Sequence, residues 1–139
     1  MDKTRALKYL FRIISVRDYL EAQLIKKLIS KEVSLEDIDE LILKLKNYGY
    51  VDDEKYVESF IYFSIKKLDG PYKIKNKLLF KGANLELIEL SLEKQYSLEK
   101  KRENLQKLFK KNRREKDKFI AFCARKGYPM DLILEVVNQ

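Results

Sequence analysis

Lys66-Lys67-Leu68-Asp69-Gly70-Pro71-Tyr72-Lys73-Ile74-Lys75-Asn76-Lys77-Leu78-Leu79-Phe80-Lys81-Gly82 stands at the middle of the 139-residue chain. It holds two of the four glycines, one of the two prolines, and six lysines against one acid. Pro fixes φ near the helical value and lacks the N–H that a first turn leaves unused. Gly70-Pro71 therefore reads as a stop followed by a helix start. Gly82 closes that helix, because a left-handed C-cap costs glycine no Cβ clash. Ile74 and Leu78 define the buried face, with Leu79 alongside. Lys73, Lys77 and Lys81 form an i, i+4, i+8 row on one flank, with Asn76 and Phe80 beyond it.

The same punctuation recurs on both sides. Leu7, Leu10, Phe11 and Ile14 share helical spacing over roughly 4–14, and Leu20, Leu24, Leu28, Ile25 and Ile29 do so over roughly 17–31. Ser34 reads as an N-cap, with Asp37 a shorter stand-in for the capping-box Glu, and Gly49 ends the third helix. Asp52-Asp53-Glu54 opens the next, where acids suit free N–H groups and the positive end of the dipole. Tyr56, Val57, Phe60, Ile61, Phe63, Ile65 and Leu68 leave that helix little polar face, so it is expected to be the most buried. Asn84 caps a helix carrying Leu85, Ile88 and Leu92, and Ser97 opens one with Leu98, Leu105, Leu108 and Phe109. A loop is expected over Lys110-Lys111-Asn112-Arg113-Arg114, then a helix through Phe119 and Cys123 to Gly127, then a last one from Pro129.

A shift of 50 residues carries Leu24, Leu28, Lys31, Ser34 and Ile38 onto Ile74, Leu78, Lys81, Asn84 and Ile88. A further shift of 45 carries Ile74, Leu78, Lys81, Gly82 and Ile88 onto Phe119, Cys123, Lys126, Gly127 and Ile133. The expected fold is all-α: an elongated, curved array of three tandem three-helix repeats over residues 1–50, 51–96 and 97–139. A compact bundle satisfies the same periodicity.

Composition narrows the function. The net charge of +8 and pI near 9.4 point to an anionic partner such as nucleic acid or an acidic protein groove. There is no histidine, the single Cys123 forbids an internal disulfide, and no Gly-rich phosphate loop or nucleophile elbow is present. Asp52 and Asp53 are better explained by a helix N-terminus than by acid–base chemistry. No apolar run reaches membrane-spanning length and no signal sequence is evident. The expectation is a cytoplasmic binding protein, monomeric, with neither enzymatic activity nor cofactor.

The ordered motifs resemble the RecX family of RecA regulators. Val51-Asp52-Asp53-Glu54-Lys55-Tyr56-Val57 is similar to the family's L-D-D-x-x-F-A, and Gly70 through Ala83 to its G-P-x-x-I-x-x-E-L-x-x-K-G-I. Lys118-Phe119-Ile120-Ala121-Phe122-Cys123-Ala124-Arg125-Lys126-Gly127-Tyr128 resembles its K-L-I-x-F-L-x-R-R-G-F. Lys77 stands where the family has Glu, Leu20 and Gln23 where it has Ser and Glu, and Glu32 where it has Gly. The resemblance implies a protein that lies in the groove of the RecA–DNA filament and suppresses its ATPase, strand-exchange and co-protease activities. A basic module binding single- or double-stranded DNA by itself, and an adaptor for another protein, are the rival readings.

Candidate contacts for RecA or DNA are Lys66, Lys67, Lys73, Lys77 and Phe80, or the same lysine face is merely solvated. Residues 97–139 carry 12 basic and 6 acidic groups, against 10 and 8 in 1–50 and 8 and 8 in 51–96. That surplus adds Lys110, Lys111, Arg113 and Arg114 as phosphate contacts, or as a mobile, soluble hairpin. Asp52, Asp53, Gly70, Pro71, Ile74, Leu78, Lys81, Gly82, Lys126 and Gly127 are read as architectural, and Cys123 as a buried small hydrophobe.

Overall fold

The computed structural model describes residues 1–112 and 114–139. Among them are α1 (Lys3–Ile14), α2 (Glu21–Ser30), α3 (Leu35–Asn47), α4 (Asp53–Lys66), α5 (Pro71–Lys81), α6 (Leu85–Gln95), α7 (Leu98–Lys111), α8 (Lys116–Arg125) and α9 (Met130–Val137). No described residue lies in a strand. The chain gathers into two compact units, Met1–Tyr56 with Lys81–Ala83, and Val57–Phe80 with Asn84–Gln139.

In the first unit α3 packs on α1 and α2. Its core joins Ala6 and Leu10 of α1, Leu24 and Leu28 of α2, and Ile38, Leu41, Ile42 and Leu45 of α3. Spacing selects most of them, but in α1 Ala6 is buried where Phe11 was expected, Leu7 and Ile14 are only partly buried, and Phe11 and, on α2, Ile29 are exposed, because periodicity does not show how wide a face the neighbours cover. The helix starts follow from local acceptors. Asp2 accepts the Arg5 N–H at 2.8 Å and Ser34 Oγ the Asp37 N–H at 3.2 Å. Asp37, one methylene shorter than Glu, shows no bond returned to Ser34 among the described residues.

Helix α2 begins at Glu21 rather than near 17. Leu20 has no polar side chain to cap it, and two other residues substitute. Gln23 Oε1 accepts the Leu20 N–H at 3.0 Å, and Asp53 Oδ1 accepts the Glu21 N–H at 2.8 Å. Of the acidic pair, Asp52 caps its own helix, accepting from the Lys55 N–H at 3.1 Å, while Asp53 serves α2. Burial raises the Asp53 pKa, and the Glu21 N–H partly offsets that rise.

Helix ends at Glu32, Gly49, Leu68 and Gly127 share one geometry. At each, the N–H of the left-handed residue and that of its successor turn back onto the last helical turn, as with Leu68 to Ile65 and Asp69 to Ser64. Glu32 and Leu68 hold φ of +60° and +67° without being glycine.

In the second unit α9 packs against α7 and α8. Buried residues include Ile61, Ile74, Leu78, Ile88, Leu105, Phe119, Cys123 and Ile133. Burial pushes the Cys123 thiol up to about 11, in keeping with an inert hydrophobe. Contrary to the sequence expectation, α4 is not apolar-buried all round. Val57, Ile61 and Ile65 are buried, whereas Tyr62 and Phe63 are exposed and meet edge to face at 5.2 Å.

The start of α5 is fixed by the joint after α8. Gly70 N–H donates to the Lys126 carbonyl at 2.7 Å and Tyr72 N–H to the Gly127 carbonyl at 2.9 Å, so backbone carbonyls occupy the place of a side-chain cap. The approach is close enough to demand glycine on both sides. A Cβ on Gly70 would lie 2.6 Å from the Tyr128 nitrogen, and one on Gly127 2.6 Å from Lys73 Cβ. In the first unit Gly82 approaches α2 likewise, its Cβ position falling 2.9 Å from Ala22 Cβ. Ala22 and Tyr72 are equivalent under the 50-residue shift, as Gly82 and Gly127 are under the 45-residue shift.

Candidate functional site

Helix α5 buries Ile74 and Leu78 and turns Tyr72, Leu79 and Phe80 outward. Leu79, expected beside the buried face, is exposed, and Phe80 is 94% exposed. A ring so fully in water keeps its whole apolar surface available to a partner. Lys77 is exposed on the same helix with no ion pair among the described residues. On α4, Lys66 Nζ sits 4.7 Å above the Tyr62 ring, which carries Phe63 on its edge. Lys67 is exposed.

Lys73 differs from its neighbours. It pairs with Asp69 at 3.2 Å, and Lys126 reaches the same carboxylate at 3.3 Å. Asp69 is buried, so this pairing fixes the joint, and Lys73 faces inward duty more than solvent. Around it Tyr96 Oη donates to the Asp69 carbonyl at 2.7 Å and Tyr128 Oη to the Leu68 carbonyl at 2.7 Å, the two hydroxyls lying 3.0 Å apart. Asn104 Nδ2 donates to Tyr96 Oη and to the Ile65 carbonyl, both at 3.2 Å. Burial raises the pKa of both phenols, which therefore remain protonated donors at neutral pH. The left-handed Leu68 is held here by Tyr128, and the exposed face of α5 rests on a rigid base.

The basic residues near α7 are placed differently from the expectation. Lys110 and Lys111 belong to the last turn of α7 rather than to a loop. Arg113 lies outside the described residues. The Arg114 guanidinium stands 4.3 Å over the Phe122 ring. Lys100 and Lys107 share Glu103 at 3.6 and 3.5 Å, and Arg102 Nη2 meets Glu135 at 3.1 Å. These pairs take up Lys100, Arg102 and Lys107, whereas no acid pairs with Lys110 or Lys111 among the described residues.

Among the described residues no cluster of three or more His, Cys, Asp or Glu could hold a metal ion, and no helix is long and apolar enough to cross a membrane. No family model matches the chain. A regulatory protein RecX from Caldanaerobacter subterraneus subsp. tengcongensis is 31% identical over 141 residues, spanning 99% of this chain and 72% of that protein. The chain belongs to the RecX family. A second RecX regulatory protein, from Actinobacillus pleuropneumoniae serotype 5b, is 36% identical over 93 residues, which span 67% of this chain and 62% of that protein, under two thirds of its length. The crystal structure of RecX from Lactobacillus salivarius superposes with a TM-score of 0.88 over 98% of this chain and 94% of that one; at 22% identity the likeness is one of fold.

The α5 face of this RecX-family chain was legible from the motif Gly70 to Gly82. A second charged face was not. Arg5, Lys8 and Arg12 of α1 and Lys31, the C-cap of α2, surround one open pocket, and Arg17, Lys26 and Lys27 line another. The signal that finds them is charge sorted by helix. The run 36–40 holds four acids, Glu36, Asp37, Asp39 and Glu40, all on α3, whereas α2 has one acid, Glu21, and α1 none.

Proposed function

We propose that this RecX-family chain regulates recombination by binding the RecA–DNA filament in its groove, lowering ATP hydrolysis, strand exchange and co-protease activity. Family membership supports the regulatory role. The observation that carries the contact is Phe80, 94% exposed beside the unpaired Lys77 on a helix whose other face is locked into the core. Burying one such ring is worth about 1.5–3 kcal/mol. Lys66, Lys67 and Lys77 supply positive charge for acidic groups of the filament, and Lys110 and Lys111 at the end of α7, with Arg114 after it, add to that charge. The protein acts as a cytoplasmic monomer, by occupancy rather than catalysis, and needs no cofactor of its own because ATP and DNA belong to the filament. Three repeats over residues 1–50, 51–96 and 97–139 form its framework, a division supported by the matching glycine approaches of Gly82 to Ala22 and Gly127 to Lys73.

The test is DNA-dependent ATP hydrolysis by purified RecA, titrated with this protein at low salt. Inhibition is expected at or below one protein per RecA, and Phe80→Ala with Lys77→Ala is expected to raise the concentration needed about tenfold, the factor that ~1.4 kcal/mol represents. No inhibition by the wild type over the full titration rejects the regulatory reading. Unchanged potency of the double variant rejects the α5 face alone.

A further inference from the structure

The first unit has a charged surface that the filament contact does not use. Arg5, Lys8, Arg12 and Lys31 surround an open pocket of about 410 Å³ with Tyr9 in its wall. A second, of about 330 Å³, is lined by Arg17, Tyr19, Gln23, Lys26, Lys27 and Ser30. Neither lining includes a carboxylate.

Two tyrosines organise these cations. Arg12 and Lys31 stand 5.5 and 5.3 Å from the Tyr9 centroid, and Arg17 and Lys27 stand 4.3 and 5.5 Å from the Tyr19 centroid. Each ring gathers two like charges, and no acid pairs with any of the four among the described residues. Cation–π attraction offsets part of their repulsion but leaves the charge uncancelled. An anion that accepts from both groups is what each site lacks. A phosphate suits it, because its oxygens accept from a guanidinium in bidentate fashion. Lys27 and Lys31 are one helical turn apart, about 6 Å along α2, so the two sites follow one another on one face. Two sites in a row fit a chain of phosphates better than a single anion.

A third feature adjoins them. Phe11 meets Tyr50 edge to face at 5.5 Å, and Tyr48 lies 6.4 Å from Tyr50. All three rings are exposed, Tyr48 at 68% and Tyr50 at 52%. Around α1, at about 100° per residue, Lys8 falls between Phe11 and Arg12, linking the aromatic cluster to the basic pocket. A duplex offers phosphates but hides its base faces, whereas a single strand offers both.

We propose that the α1/α2 face of the first unit binds single-stranded nucleic acid, seating successive phosphates in the Tyr9 and Tyr19 pockets and stacking bases on the Phe11–Tyr50–Tyr48 cluster. Tyr9 and Tyr19 are positioning residues that hold the cations in place.

The experiment is fluorescence anisotropy of a labelled thymidine 20-mer with the full chain, without recombinase, across a salt series. The wild type is expected to bind with a log–log salt slope of about −1.4 or steeper, since each phosphate contact contributes ~0.7 on a single strand. Arg12→Glu with Lys31→Glu weakens binding at least about tenfold and makes the slope shallower by ~0.7 or more. Tyr48→Ala with Tyr50→Ala weakens it about tenfold with the slope unchanged, because stacking releases no counterions. Matched reversal at Lys55 and Lys94 controls for net charge, and circular dichroism confirms that each variant is folded. The proposal is overturned by absence of binding at low salt, by equal loss in the control, by greater loss on reversing Lys110 and Lys111, or by equal competition from a duplex. With no recombinase present, failure here is distinct from failure of the filament reading.

Discussion

The joint between the α8 end and the α5 start predicts a graded response to alanine at three glycines. Gly49 holds φ +78° with nothing within 4 Å of a new Cβ. Gly49→Ala therefore isolates the left-handed backbone penalty, about 1 kcal/mol. Gly70 has an ordinary φ, but its Cβ would press on the Gly127–Tyr128 peptide, 2.6 Å from Tyr128 N. Backbone cannot swing aside as a side-chain tip can, so the joint must open and loosen the Gly70–Lys126 and Tyr72–Gly127 hydrogen bonds. At ~1 kcal/mol per bond that amounts to about 2 kcal/mol. Gly127→Ala incurs both effects, φ +96° and the contact with Lys73, for about 3 kcal/mol. The double variant is the sharper measurement. Once either alanine has opened the joint, the second finds it open, so Gly70→Ala/Gly127→Ala should cost about 3 kcal/mol rather than the additive ~5. Urea melts of the four variants at pH 7 read these differences directly. A Gly70→Ala variant within ~0.5 kcal/mol of wild type, or additive costs in the double variant, would refute the account of the joint.

Glu32, at φ +60°, should respond in the opposite direction: Glu32→Gly is expected to stabilise by ~0.5–1 kcal/mol, seen as a higher urea midpoint. Asp53→Ala removes the acceptor for the Glu21 N–H and should cost about 1 kcal/mol, while Asp53→Asn keeps an acceptor oxygen and should cost little at pH 7. Because burial raises the folded-state pKa of Asp53 above its unfolded value, its contribution declines as pH rises through the carboxylate range, and Asn removes that decline. For Cys123 the folded thiol titrates at about 11 against an ordinary 9.0, so the unfolded chain loses its proton first. Stability should fall between those two pH values by on the order of 2 kcal/mol, and Cys123→Ala should flatten that part of the pH profile despite its own packing cost.

Where a structural cause is local, the sequence exposes it. Ser34, Asn84 and Ser97 cap the helices they precede, through bonds spanning two or three residues. Gly49, Gly82 and Gly127 carry the positive φ that their place after an apolar run implies. Ile74 and Leu78 are buried, as spacing alone requires. Causes that act through space are hidden. The start of α2 depends on Asp53, 32 residues away, and from position 20 onward nothing announces that acceptor. Phe63 is exposed although every apolar residue of α4 looks like core, because helical spacing shows which residues share a face but not how wide a face the neighbours cover. Lys73 was grouped with Lys77 by sequence period, yet Asp69 lies just outside the helix and pairs with Lys73, and with the distant Lys126, but not with Lys77.

Charge shows the same division more sharply. Summed by segment, residues 97–139 hold 12 basic against 6 acidic groups and residues 1–50 hold 10 against 8, which directs attention to the former. A sum ignores direction. In the later segment Glu103 takes up Lys100 and Lys107, and Glu135 takes up Arg102. In the earlier one four acids sit together on α3, where Glu40 pairs with Lys3, while Glu21 pairs with Lys46. The α1/α2 cations are left facing one another across two tyrosine rings. Field strength at a site depends on which charges point together and which are cancelled nearby, and screening over about 8 Å at physiological salt removes the rest from account. The nearly neutral segment can therefore present the stronger local anion site, and salt slopes measured separately for the two reversals decide between sum and arrangement.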